Sequence, residues 1–154
     1  MKRTRIIIVL LLTVATVHGT QPFAGAQATS VGGLWSGTTL VTECDFSTGR
    51  CNAQNKITLN LTQQNNRVTG NYTCAYGTMI CRHGGADNTA TIISGRIAGS
   101  QIRLSLMFPA DGSNCYYFGL LTSATDMHGT YMCYNGGADL LEEGTWDVTH
   151  ASNQ

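Results

Sequence analysis

Apolar and polar residues alternate along most of the chain beyond residue 33. Ile57, Leu59 and Leu61 alternate with Thr58, Asn60 and Thr62. Ile102, Leu104, Leu106 and Phe108 alternate with Arg103, Ser105 and Met107. A period of two belongs to a strand with one buried face and one wet face. No window sustains the 3.6-residue period of an amphipathic helix. The pattern predicts eight strands, near residues 33–43, 56–63, 67–75, 89–97, 101–108, 114–122, 126–134 and 142–149. Turn residues separate them, among them Asn65-Asn66, Ala98-Gly99-Ser100 and Asp111-Gly112-Ser113-Asn114. The connections are short, so sequence neighbours are expected to pair antiparallel.

Register follows from the turns. Folding about Asn65-Asn66 sets Leu61 opposite Gly70, Leu59 opposite Tyr72 and Ile57 opposite Cys74. The other face then pairs Asn60 with Asn71 and Thr58 with Thr73. Folding about Gly99-Ser100 sets Ile97 opposite Ile102 and Ile93 opposite Leu106. Both hairpins keep an inside and an outside. A meander of eight strands leaves two edges unless it closes, so the expected fold is all-β, an eight-stranded antiparallel up-and-down barrel. An internal repeat supports the hairpin reading. Gly70-Asn71-Tyr72-Thr73-Cys74 resembles Gly129-Thr130-Tyr131-Met132-Cys133, and the Gly-Gly-Ala-Asp at 84–87 recurs at 136–139. The first copy reads as the second with residues 75–81 inserted, which brings an extra Cys.

The first segment stands apart. Lys2, Arg3 and Arg5 precede an uncharged, mostly apolar run from Ile6 to Val17. That run is too short to span a bilayer and suits a signal-peptide core. Two A-x-A patterns follow, so residues 1–26 are expected to be a leader cut near Ala26 or Ala28. Residues 27–32 then form a linker, 33–150 one barrel domain and 151–154 a tail. No transmembrane segment is expected once the leader is gone. The whole chain has a formal net charge of zero. Losing the leader removes three of nine cations and leaves the rest mildly acidic. That balance argues against nucleic acid, which is bound through neutralised phosphates.

Six Cys in 154 residues point to an oxidising compartment, secreted or periplasmic. Three short disulfides are expected. Cys44 and Cys51 bracket a turn-like segment, and Cys74 and Cys81 bracket the insertion. Cys115 falls directly opposite Cys133 across the hairpin base at 122–126. Structural zinc favours close C-x₂₋₄-C pairs, whereas this chain has six residues between each bracketing pair, so no metal is assigned.

Catalytic chemistry is thin. His83 lies near Asp87, but no nucleophile elbow accompanies them. His128 lies on a strand, and His150 is placed in a tail expected to fray. Asp87, Asp139, Glu142 and Glu143 lack the spacing of a calcium loop. No catalytic residue and no cofactor are assigned, and the protein is not expected to be an enzyme. Asn60-Leu61-Thr62 and Asn71-Tyr72-Thr73 are glycosylation sequons. Trp35, Tyr72, Tyr131 and Trp146 form the main aromatic set. Such rings either fill a small barrel or wall a ligand cavity, and both readings stay open.

Gly33-Leu34-Trp35, the strand Val68-Thr69-Gly70-Asn71-Tyr72 and the closing Gly144-Thr145-Trp146 resemble small secreted calycin-type barrels. Lipocalins and avidins are the named relatives, with bacterial secreted lipocalin-like proteins nearest in pattern. The resemblance implies a lipocalin-like binder of a small, partly apolar ligand, with the four rings as cavity candidates. The alternative is a protein-binding module, such as a protease inhibitor or surface-interaction protein, acting through loops 45–50, 75–80 and 135–141. An eight-stranded outer-membrane barrel fits less well, since most strands are short for a membrane and six cysteines suit it poorly.

Overall fold

The computed structural model describes residues 30–44, 52–75, 89–109, 112–136 and 139–151. Eight strands form one closed antiparallel barrel in sequence order. They are β1 (Gly33–Cys44), β2 (Gln54–Gln64), β3 (Arg67–Ala75), β4 (Thr89–Ala98), β5 (Gln101–Met107), β6 (Asn114–Leu121), β7 (Asp126–Tyr134) and β8 (Leu140–His150). β1 pairs with β8 as well as with β2, so no edge remains. The segment 1–29, Cys51, Cys81, His83 and Asp87 lie outside the described residues, as do the connections 45–51 and 76–88.

The β2–β3 hairpin has the expected register throughout, from Leu61 opposite Gly70 to Ile57 opposite Cys74. The β4–β5 hairpin starts as expected, with Ile97 opposite Ile102, and then departs. A bulge between Ile92 and Ser94 puts Ile92, not Ile93, opposite Leu106. The extra residue reverses the parity, so Ile92 is buried and Ile93 is 49% exposed. Such a bulge increases local bend and twist, which suits a strand that must wrap around a barrel.

The interior divides into two zones. The end carrying the 65–66, 99–100 and 122–125 turns is apolar, filled by Val31, Trp35, Leu61, Val68, Ile97, Ile102, Met127 and Val148. Trp35 closes it, with its indole Nε1–H donating to the Val31 carbonyl at 2.9 Å. His150 is not part of a frayed tail. It is the last residue of β8, its N–H donates to Thr125 O at 2.8 Å, and its ring meets Trp35 edge-on at 4.8 Å. This contact joins the two ends of the barrel sequence, 115 positions apart, which no local pattern could signal.

Cys115 faces Cys133 and bonds to it, with Cα atoms 4.1 Å apart. Both are fully buried beside Glu142, which pairs with Cys133 from β8. Cys74 is also disulfide-bonded. The expected Cys44–Cys51 and Cys74–Cys81 pairings each involve a cysteine, Cys51 or Cys81, outside the described residues. Replacing Cys115 and Cys133 together by alanine is expected to cost about 3 kcal/mol, the value for a loop of this length. A urea midpoint unchanged from the parent protein would contradict it.

Candidate functional site

The half of the interior nearer the 45–53, 76–88, 109–113 and 135–139 connections differs in chemistry from the apolar end. Inward positions here carry Tyr72, Tyr117, Tyr131, Trp146 and Phe108, together with the buried polar residues Thr39, Asn55 and Glu142. Strand parity explains the set. Thr39 lies two steps beyond Gly37 on the Trp35 face, Tyr117 lies two beyond Cys115, and Glu142 lies four before Trp146.

The rings pack on one another. Tyr117 stacks on Tyr131 with centroids 5.1 Å apart and planes 18° from parallel. Trp146 meets the same Tyr117 ring at 5.8 Å, and Tyr72 lies between Tyr117 at 5.7 Å and Phe108 at 5.8 Å. Such pairs contribute roughly 0.5–1.5 kcal/mol each beyond the area they bury. Trp35, Tyr72, Tyr117, Tyr131 and Trp146 are each no more than 2% exposed. The four rings singled out from sequence therefore point inward, Trp35 in the apolar end and the other three in the mixed half. Each of them lies in contact with a neighbouring ring.

The polar atoms are bonded within the cluster. The Tyr131 hydroxyl donates to Glu142 Oε1 at 3.0 Å, and the Tyr117 hydroxyl donates to the Tyr72 oxygen at 3.2 Å. Asn55 Nδ2 donates to Thr39 Oγ1 at 3.2 Å. Burial pushes all three phenols well above the ordinary tyrosine value, because a phenolate there would lose its water. The charge on Glu142 pushes each of them in the same direction. Hydroxyls that stay protonated act here as donors and as neutral acceptors, not as bases.

Glu142 and Glu143 face opposite sides of β8 and cannot converge on one calcium ion. Asp139 is bound to Asn135 in the β7–β8 turn. His128 lies on the outer wall, exposed above the Gly119–Gly129 pair. Tyr117, Thr39 and Asn55 escaped the sequence reading, Phe108 entered it only as an apolar strand position, and Glu142 only as a loop carboxylate. Counting parity back from Trp146 and forward from Cys115 would have found Glu142 and Tyr117.

No protein-family model matches the chain, and no curated protein matches it. Among solved structures it is similar to a redesigned β-barrel, mFAP1, determined with DFHBI bound. The two share 10% sequence identity over 81% of this chain and 96% of that one, with a TM-score of 0.45. No residue role is taken from that protein.

Proposed function

We propose that the chain is a secreted, non-catalytic binding protein that takes a small, partly apolar ligand into the mixed half of the barrel. One observation carries this reading: three phenols and a carboxylate are buried together among aromatic rings, while the opposite half is apolar. A barrel filled only for stability gains nothing from polar groups that must first be stripped of water. A few placed polar groups among aromatics is the composition of a ligand site. In the structure these groups satisfy each other. Binding would exchange the Tyr117–Tyr72 and Tyr131–Glu142 hydrogen bonds for bonds to the ligand, with the rings parting to admit it. The lipocalin-like start and close of the sequence, and its leader-like first segment, support the same reading. So does the buried disulfide, a bond that persists in oxidising compartments.

The test is a titration of the oxidised protein with small aromatic and aliphatic probes, read by tryptophan fluorescence, since Trp146 meets the cluster edge-on at Tyr117. Saturable binding is expected. Tyr131→Phe is expected to weaken a hydrogen-bonding probe about tenfold, the equivalent of one modest hydrogen bond. A panel with no saturable member would overturn the proposal.

A second reading, a protein-binding module, is favoured by the close contact of the rings and by the hydrogen bonds between Asn135 and Asp139. Asn135 and Asp139 exchange backbone and side-chain hydrogen bonds of 3.0, 3.1 and 3.0 Å across the β7–β8 connection. Two residues tied together in this way are preorganised for a partner's contact. Silent small-molecule titrations combined with protease inhibition, lost on Asn135→Ala, would favour this reading over the first.

A further inference from the structure

A chemically different site, an open depression, lies on the outer wall, where β6 begins and β7 ends. Tyr116 and Tyr134 meet there with ring centroids 6.1 Å apart and planes at 62°. Asn114 lies directly opposite Tyr134, and Asn135 follows Tyr134 in the chain. With Gly136 these residues line a depression of about 330 Å³. That lies at the small end of the roughly 300–1,000 Å³ typical of ligand pockets. Tyr116 is 40% exposed, so its face is available without any movement of the barrel.

The lining narrows the ligand class. No lining residue is charged, and the Asp139 carboxylate beside the rim is taken up by Asn135. Two phenol rings set at an angle offer one face to stack on and one edge to abut. The amides on the rim are held in place. Asn114 Nδ2 donates to Gly112 O at 3.2 Å, and Asn135 is fixed to Asp139. Tyr134 OH is anchored on Met132 Sδ at 3.2 Å. Side-chain amides both donate and accept, as phenols do. Tyrosine with asparagine is also a combination that gives rigid amphipathic contact with adaptable hydrogen bonding.

A pyranose has the complementary form: a face of C–H groups that packs on an aromatic ring, and a rim of neutral hydroxyls that donate and accept. We propose that this outer pocket is a binding site for a neutral saccharide. Tyr116 is the stacking platform, Tyr134 the side wall, and the Asn114 and Asn135 amides bind neighbouring hydroxyls. The site is independent of the buried cluster, because the side chains of Tyr116 and Tyr117 leave β6 on opposite faces.

The full chain should be titrated with glucose, galactose, mannose, N-acetylglucosamine and their disaccharides, by calorimetry and saturation-transfer NMR. At least one is expected to bind saturably, with transfer strongest at its ring protons. Tyr116→Ala is expected to weaken it at least tenfold, whereas Tyr116→Phe retains most of the affinity. Glycerol, which has hydroxyls but no ring face, is expected not to bind. The same Tyr116→Ala protein should keep the fluorescence response to apolar probes, which separates this site from the interior one. No saturable sugar, or a sugar whose affinity is indifferent to Tyr116→Ala, overturns the proposal.

Discussion

Above about pH 10 the barrel is expected to lose roughly 4 kcal/mol of stability for every further pH unit. The cause is the three buried phenols of Tyr72, Tyr117 and Tyr131. Each is held protonated in the folded state, first by burial; the Glu142 charge acts in the same direction. In the unfolded chain the same groups ionise near pH 10, the ordinary tyrosine value. A group whose folded pKa is raised contributes its full stability below the unfolded pKa, and that contribution is lost as pH rises past it. Each phenol contributes a slope of about 1.4 kcal/mol per pH unit, and three act together. Urea unfolding at a series of alkaline pH values measures the slope, and near-ultraviolet absorbance of tyrosinate follows the ionisation. The chain has six tyrosines, and these three are expected to ionise only as the barrel opens.

The sharpest control is the double variant Tyr72→Phe with Tyr117→Phe. The two hydroxyls bond each other at 3.2 Å, so removing both orphans neither. The slope is then expected to fall to roughly a third, leaving Tyr131 alone. An unchanged slope would show that the alkaline loss arises elsewhere.

This cluster was only partly legible in the sequence. Tyr72 and Tyr131 stand in the internal repeat and share a parity with Leu59 and Cys133, so their inward direction could be read. Tyr117 shares the parity of Cys115 but has a second tyrosine beside it, and composition does not say which of Tyr116 and Tyr117 is buried. Glu142 was harder, because a carboxylate beside another in Glu142-Glu143 reads as solvated surface. Its parity with Trp146 points it inward, and closure of β8 on β1 and β7 sets it against Cys133 and under Tyr131.

The architecture was more legible than the site because each hairpin is a local decision. Turn chemistry and period-two alternation determine the pairing of β2 with β3 and of β6 with β7 within about twenty residues. Where an error entered, the cause was non-local. The bulge at Ile93 arises from the curvature needed to close the barrel, and the burial of the His150 ring depends on Trp35 at the other end of the domain. The filling of the interior is likewise a sum over all eight strands.

Trp146→Ala is expected to cost about 3–5 kcal/mol, a large share of the roughly 5–15 kcal/mol that stabilises a typical domain. The indole meets Tyr117 and shares its Nε1–H between Thr130 O at 3.1 Å and Phe118 O at 3.3 Å. Its space exists because β6 and β7 place Gly119 opposite Gly129 at this level. A Cβ on Gly119 would lie 2.3 Å from Trp146 Cζ2, and one on Gly129 would lie 1.9 Å from Phe118 O. Gly119→Ala should therefore cost about 1–3 kcal/mol or more, as overpacking does. The two sites form a double-mutant cycle. If the ring is the main obstacle, Gly119→Ala is milder once Trp146 is alanine, with a coupling of about 1–2 kcal/mol. Some cost persists in that background, because the same Cβ would stand 2.7 Å from His128 O. Strictly additive losses would mean that the backbone of β7, not the indole, requires glycine at position 119. Trp146 would then fill a space that the strand curvature had already made.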